Sequence, residues 1–275
     1  MGYDLSMVTH FRISKSLALV VAFISIGLVA AYLALPILAL FFHSNPEMFI
    51  SSLTEPKVID ALVLSMLTST IAMIVIVIVG TPAAYFHSRM DYPGKSVVDI
   101  LIDLPLVLPP AVAGLALLLM YGRMGLFGQY LHMFGIDIAF TIIAVIMAQI
   151  FVASPFYLRQ AKALFGQLDP AYEQTARSLG ASPLFVFSTI VLPLTFEGLL
   201  SGLVMTFARA LGEFGATIMV AGNLPGVTQT MPLAIYGAMQ GDFNTAITIS
   251  ILLVLISFGI MAVISILTKR RGLIA

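Results

Sequence analysis

Cysteine is absent from the 275 residues, so disulfides and thiolate metal sites are excluded while the redox compartment stays open. Charge is nearly as scarce. Only 9% of residues are Asp, Glu, Lys or Arg, they sum to zero, and no long basic run exists, which argues against nucleic acid as a partner. The four histidines, His10, His43, His87 and His132, are scattered near segment ends with no pair at ligand spacing, so no metal site is expected. Gly94-Lys95-Ser96 has the ending of a phosphate-binding loop, but that loop requires a glycine where Arg89 stands. The chain is expected to bind no nucleotide itself and to bind no cofactor of its own. No serine-histidine-aspartate set, paired aspartates or metal-ligand motif accompanies the polar residues Glu197, Arg209 and Glu213, which weakens the alternative of an intramembrane enzyme. Internal repeats, low-complexity tracts and signs of a second domain are also missing, so one transmembrane domain is expected over residues 1–275.

What the chain has in abundance is apolar sequence: 60% of residues are hydrophobic and the mean hydropathy is +1.07, the composition of a polytopic membrane protein. Six all-α spans are expected, at residues 17–42, 61–86, 104–121, 138–158, 184–208 and 246–267. The first is uncharged, follows Arg12 and Lys15, and exceeds the roughly 7–15 residues of a signal-peptide core, so it reads as a retained span. The fifth contains Glu197, yet its Leu, Ile, Val and Phe residues contribute roughly −4 to −8 kcal/mol against roughly +3 for one carboxylate, so it still inserts. The N-terminus, the 87–99 loop, the 159–183 loop and the C-terminus hold ten of the 13 Lys and Arg residues, leaving Lys57, Arg123 and Arg209 for the other side. By the positive-inside rule both termini and the 159–183 loop are expected to be cytoplasmic.

One polar stretch interrupts the apolar sequence. Asp169 and Pro170 read as the N-cap and first residue of a helix, Glu173 adds negative charge near its positive end, and Gly180 suits a left-handed C-terminal cap. Ser182 and Pro183 repeat the start signal, giving helix, tight turn, helix. The first helix places Tyr172, Thr175, Ala176 and Leu179 on one face and Glu173, Gln174, Arg177 and Ser178 elsewhere. It reaches only about 15 Å, half a bilayer core, so it lies beside the membrane with a face that wants a protein partner.

Glu173, Ala176, Gly180, Ile190, Leu192 and Pro193 resemble the cytoplasmic "EAA" loop of permease subunits in ATP-binding-cassette importers, with Thr175 departing from the family's first alanine. Pro93-Gly94-Lys95 is similar to a turn in the same family, and Leu104-Pro-Leu-Val-Leu-Pro-Pro110 is similar to its oxyanion-importing members. The stretch 208–236 resembles the molybdate and tungstate branch through Phe214, Ala216 and the Gln229-Thr-Met-Pro run, with a sulfate or thiosulfate permease as the alternative. The resemblance covers residues 61–268 and implies a type I importer permease with an ATPase-docking loop at 166–183. Tyr172, Glu173, Ala176, Arg177, Leu179 and Gly180 are its implied docking residues. Two ATPase subunits carrying ATP and magnesium, a second copy of the chain, an external oxyanion-binding protein and membrane lipid are its implied partners. Such a subunit is a channel component and no enzyme.

For the pathway or gate the candidates are Pro109, Pro110, Arg209, Glu213 and Thr217. Prolines at the start of the third span break the helical ladder, which lipid tolerates only where protein or an aqueous cavity meets the freed carbonyls. Arg209 and Glu213, four apart, can neutralise each other at membrane depth, either in function or as a structural pair at the outer interface. Gly198 and Gly202 form a G-x-x-x-G spacing suited to close packing within the chain or across a dimer axis. A stand-alone channel or ion-coupled carrier is the remaining rival, and it would need no docking helix.

Overall fold

The computed structural model describes residues 15–270 and the side chains of residues 18–262, and every regular element among them is a helix. Residues up to Asn45 form one unit and those from Pro46 onward another. The first unit carries α1 (Lys15–Phe42), an apolar helix. The second unit runs α2 (Pro46–Leu53), α3 (Pro56–Arg89), α4 (Lys95–Val107), α5 (Pro110–Tyr121), α6 (Gly128–Met133), α7 (Ile142–Gln167), α8 (Pro170–Ser178), α9 (Pro183–Val186), α10 (Leu192–Leu211), α11 (Gly215–Ala221), α12 (Met231–Ala238) and α13 (Phe243–Arg270). A π-helical turn, Phe187–Val191, joins α9 to α10. Among the described residues five helices are long and apolar enough to cross a membrane, six if the bent pair of α4 and α5 counts as one span.

At 34 residues α3 is about 51 Å long, some 20 Å more than a bilayer core, so its last turns project past the acyl chains. Those turns carry Tyr85, His87 and Arg89. Its neighbour α7 sits at the centre, packed against α3, α10, α11, α4 and α5. One core cluster, built on Ile76, Tyr85, Tyr157, Phe165, Val191 and Leu199, joins α3, α7 and α10. A second joins α5, α7 and α11 through Ala113, Leu117, Ala148, Val152, Ala216 and Val220.

The third span is not the single helix expected over 104–121. Leu108 and Pro109 each precede a proline, which forces both into extended backbone (ψ 133° and 132°), and α4 meets α5 at a 116° bend. Pro110 begins α5, and Pro109 stands in the elbow before it. At 12 residues α5 reaches only about 18 Å, so it cannot cross a bilayer core by itself. The Pro-Gly-Lys turn therefore leads into α4, not directly into a span. Asp99 of α4 bonds Lys162 of α7 and His87 of α3, and Asp103 pairs with Arg159. These polar contacts tie α4 to the C-terminal parts of both helices.

The fifth span also departs from a plain helix. Pro193 cannot donate to the carbonyl four residues earlier, and the π turn absorbs the mismatch by sending the Leu192 amide back to Phe187. Gly198 and Gly202 face α7: a Cβ on Gly198 would fall 2.4 Å from Leu164, and one on Gly202 would fall 3.0 Å from Gln160. The small-residue pair thus serves packing within the chain.

Candidate functional site

The polar stretch folds as its cap signals dictate. The Asp169 carboxylate accepts from the Ala171 amide at 2.8 Å, Pro170 opens α8, and Ser182 Oγ accepts from the Phe185 amide at 3.3 Å. At the other end Gly180 takes φ +86°, its amide bonds Arg177 and the Ala181 amide bonds Ala176. This double bond is the Schellman arrangement, and it needs a residue free to adopt positive φ.

Glu173 does not project away from the chain. It is 6% exposed, and three groups from two helices converge on it. Arg89 approaches Oε1 at 2.7 Å, the Tyr85 hydroxyl donates to Oε2 at 2.5 Å, and Arg177 lies 3.7 Å away. Arg89 also donates to the Leu168 carbonyl at 3.1 Å, so one guanidinium holds both α8 and the chain leading into it. Behind this tether Tyr85 packs edge-on to Phe165 and beside Phe187, with ring centroids 5.6 and 4.9 Å away. A polar latch backed by aromatic rings fastens α8 to the protruding end of α3.

Ala176 turns inward beside Glu173 and packs against the first core cluster. Tyr172, Thr175, Arg177 and Leu179 remain outside, Leu179 being 85% exposed. Beside this outer face lies a groove of about 630 Å³ lined by Ala176, Leu179, Gly180, Ala181, Phe185 and Ile190. Residues 176, 180 and 190, separate in the sequence motif, therefore meet at one concave surface next to an exposed apolar ridge.

The pathway candidates form a second grouping. Arg209 binds Glu213 at 2.7 Å, and the other Glu213 oxygen accepts from the Ala216 amide at 2.8 Å, so the carboxylate caps α11 as well as neutralising the arginine. Pro110 lies against Gly215, where an added Cβ would sit 2.7 Å from the proline ring. Thr217 is fully buried, its hydroxyl without a hydrogen-bond partner, and Pro109 stands exposed in the elbow. The residues that carried the branch resemblance build local structure: Gln229 donates to Asn223 at 2.9 Å, Asn223 to the Leu233 carbonyl at 3.1 Å, and Phe214 packs on Tyr236. Sequence reasoning missed Tyr85 and Arg89, whose only signal was an arginine at the end of an unusually long apolar run.

The family model described as binding-protein-dependent transport system inner membrane component matches residues 76–272. The molybdenum transport system permease protein ModB of Mycobacterium tuberculosis is 40% identical over 228 residues, 82% of this chain and 86% of the relative. A sulfate transport system permease protein, CysT of Salmonella typhimurium, is 34% identical over 220 residues, 80% of this chain and 79% of the relative. In fold, the crystal structure of a bacterial ABC transporter involved in alginate import matches 94% of this chain and 96% of its own with a TM-score of 0.71 at 16% identity. A bundle of apolar helices carrying a latched polar helix, with this extent of matching, makes the chain a multi-pass member of the binding-protein-dependent transport system inner membrane components.

Proposed function

We propose that this chain is the permease subunit of an ATP-binding-cassette importer that carries molybdate or tungstate across the cytoplasmic membrane. Two copies form the conduit, and an ATPase docks on each α8 from the cytoplasm. The observation that carries this reading is the latched α8 itself, with its exposed Tyr172 and Leu179 ridge beside the groove of residues 176–190. A nine-residue helix is marginal alone, so its attachment to the end of α3 supports a role in passing motion to the bundle. ATP hydrolysis belongs to the partner, and an external binding protein delivers the oxyanion.

The ionic arrangement suits a conduit. Arg209 is neutralised by Glu213, so a divalent tetrahedral anion meets no strong fixed cation there, and conduction requires binding weak enough to release. Selectivity then rests with the binding protein. Permease, ATPase and binding protein reconstituted together are expected to import molybdate or tungstate on ATP hydrolysis, while permease alone binds neither measurably. ATP-driven sulfate uptake with molybdate excluded would sink the substrate assignment, and tight binding to the isolated permease would sink the conduit.

The orientation is tested separately. The chain lacks cysteine, so Arg177→Cys supplies a unique thiol on the exposed side of α8. An impermeant maleimide is expected to label it only in inverted vesicles. Labelling in intact cells would reverse the topology drawn from the Lys and Arg count.

A further inference from the structure

The segment between α5 and α7 is an exposed apolar feature that transport and docking leave unexplained. Met124, Phe134 and Met133 are 96%, 82% and 78% exposed, and Leu126, Phe127 and Tyr130 accompany them on the outside. On a surface facing water such a patch would be an aggregation hazard. Its position in the fold says otherwise. The Leu126 amide bonds Leu119 at 3.0 Å and the Phe127 amide bonds Met120 at 2.9 Å, so the chain reverses at the end of α5 and runs back beside its last turn. Tyr121 and Phe127 stack with ring centroids 6.5 Å apart across that reversal. Residues 126 and 127 thus lie level with the last turn of α5. They continue the lipid-facing apolar surface formed by Leu115 and Leu119 on α5 and by Ile142 and Ile143 on α7.

Two further properties fit immersion. Backbone amides along the segment bond internally, among them Gly125 to Gly122, Phe134 to Leu131 and Ile136 to Leu131, and a low-water setting requires such internal satisfaction. The segment's charges also close on themselves: Arg123 and His132 both bind Asp137 at 2.9 Å. The Arg123 hydrogen bond holds the Asp137 carboxyl below its ordinary value, so the Arg123–Asp137 pair at the loop's base stays ionised at neutral pH.

We propose that residues 124–136 are an interfacial anchor, seated in lipid at the boundary between headgroups and acyl chains on the side of the membrane opposite α8. Under the orientation proposed above this is the outer leaflet. Tyr130 is the amphipathic residue at the boundary, and Met124, Phe127, Met133 and Phe134 enter the acyl region by about 5–10 Å. The anchor fixes the outer end of α5, which is too short to be held by its own length.

The chain contains no tryptophan, so a single substitution reports on one place. Phe134→Trp in the full chain, reconstituted in phosphatidylcholine vesicles, is expected to emit at short wavelength. Phosphatidylcholine brominated near the head of its acyl chains should quench it about twofold or more, and aqueous iodide should not. Met133→Trp is an independent second reporter should the first variant fold poorly. Quenching by iodide without quenching by brominated lipid would show the segment in water and overturn the proposal. Protection from both quenchers would place a second copy or another protein over the segment, and would overturn it equally. Because lipid quenching reads the same from either leaflet, a reversed topology would leave this result unchanged.

Discussion

Arg89→Leu is expected to uncouple ATP hydrolysis from transport as severely as Glu173→Gln does, although Arg89 belongs to a different helix and lies outside the docking motif. The two side chains meet at 2.7 Å with side-chain exposures of 18% and 8%. Removing Arg89 leaves the Glu173 carboxylate only the Tyr85 hydroxyl and the more distant Arg177. Losing one partner of a buried pair costs about 3–5 kcal/mol, and these remaining contacts and the partial exposure of Arg89 favour the lower end. The Tyr85 hydroxyl loses its acceptor in Glu173→Ala as well. With the latch open, α8 keeps its caps but no longer moves with α3. Under the proposed function, transport should fall at least about tenfold while ATP hydrolysis by the ATPase continues unstimulated.

A direct alternative makes the opposite prediction. If Glu173 acts on the ATPase itself, Arg89→Leu leaves coupling intact and only the Glu173 variants fail. Measuring ATPase stimulation and uptake for both single variants and the double variant separates the cases. Two residues acting as one latch give a double variant little worse than either single one, whereas independent roles add. Full coupling in Arg89→Leu would refute the latch.

The same pair shows where sequence reading stops. Caps are local, so Asp169, Pro170, Gly180 and Ser182 could be read directly from neighbours in sequence, and α8 formed where they require. Which face turns inward is decided by Arg89, 84 positions from Glu173, and no local pattern reveals that contact. Helical periodicity grouped Ala176 with Tyr172, Thr175 and Leu179 as one apolar face. The fold splits that set, burying part of Ala176 beside a carboxylate and leaving Leu179 outside. The third and fifth spans repeat the lesson. Hydropathy located both, but hydropathy is insensitive to backbone hydrogen bonding, and the prolines at 109, 110 and 193 set the elbow and the π turn. The short α11 was hidden for a different reason: at seven residues it is too brief for periodicity to register, and its start is capped by Glu213, a residue that looked like a charge awaiting a role.

Gly114→Val is expected to be far more destabilising than substitution of Gly166 on α7 or Gly198 on α10. An added Cβ would stand 2.4 Å from the Ala216 carbonyl oxygen, 2.8 Å from Ala216 Cα and 2.7 Å from Met219 Cβ. Two of these three atoms are backbone, so relief requires α5 and α11 to separate, opening the cluster formed by Ala113, Leu117, Ala216 and Val220. Overpacking of this kind costs about 1–3 kcal/mol even where side chains can give way, and backbone cannot. Gly198→Val should cost less, because the three atoms nearest its added Cβ all belong to the Leu164 side chain and none to backbone. Gly166→Ala, with nothing within 4 Å and a helical position in α7, should be neutral or stabilise by up to about 1 kcal/mol. Thermal unfolding of the detergent-purified variants tests the order. Separation of α5 from α11 would also displace Pro110 from Gly215, so Gly114→Val should abolish transport even in the fraction that remains folded. A Gly114→Val protein melting with the wild type, or above Gly198→Val, would show that the two short helices are not in the contact described.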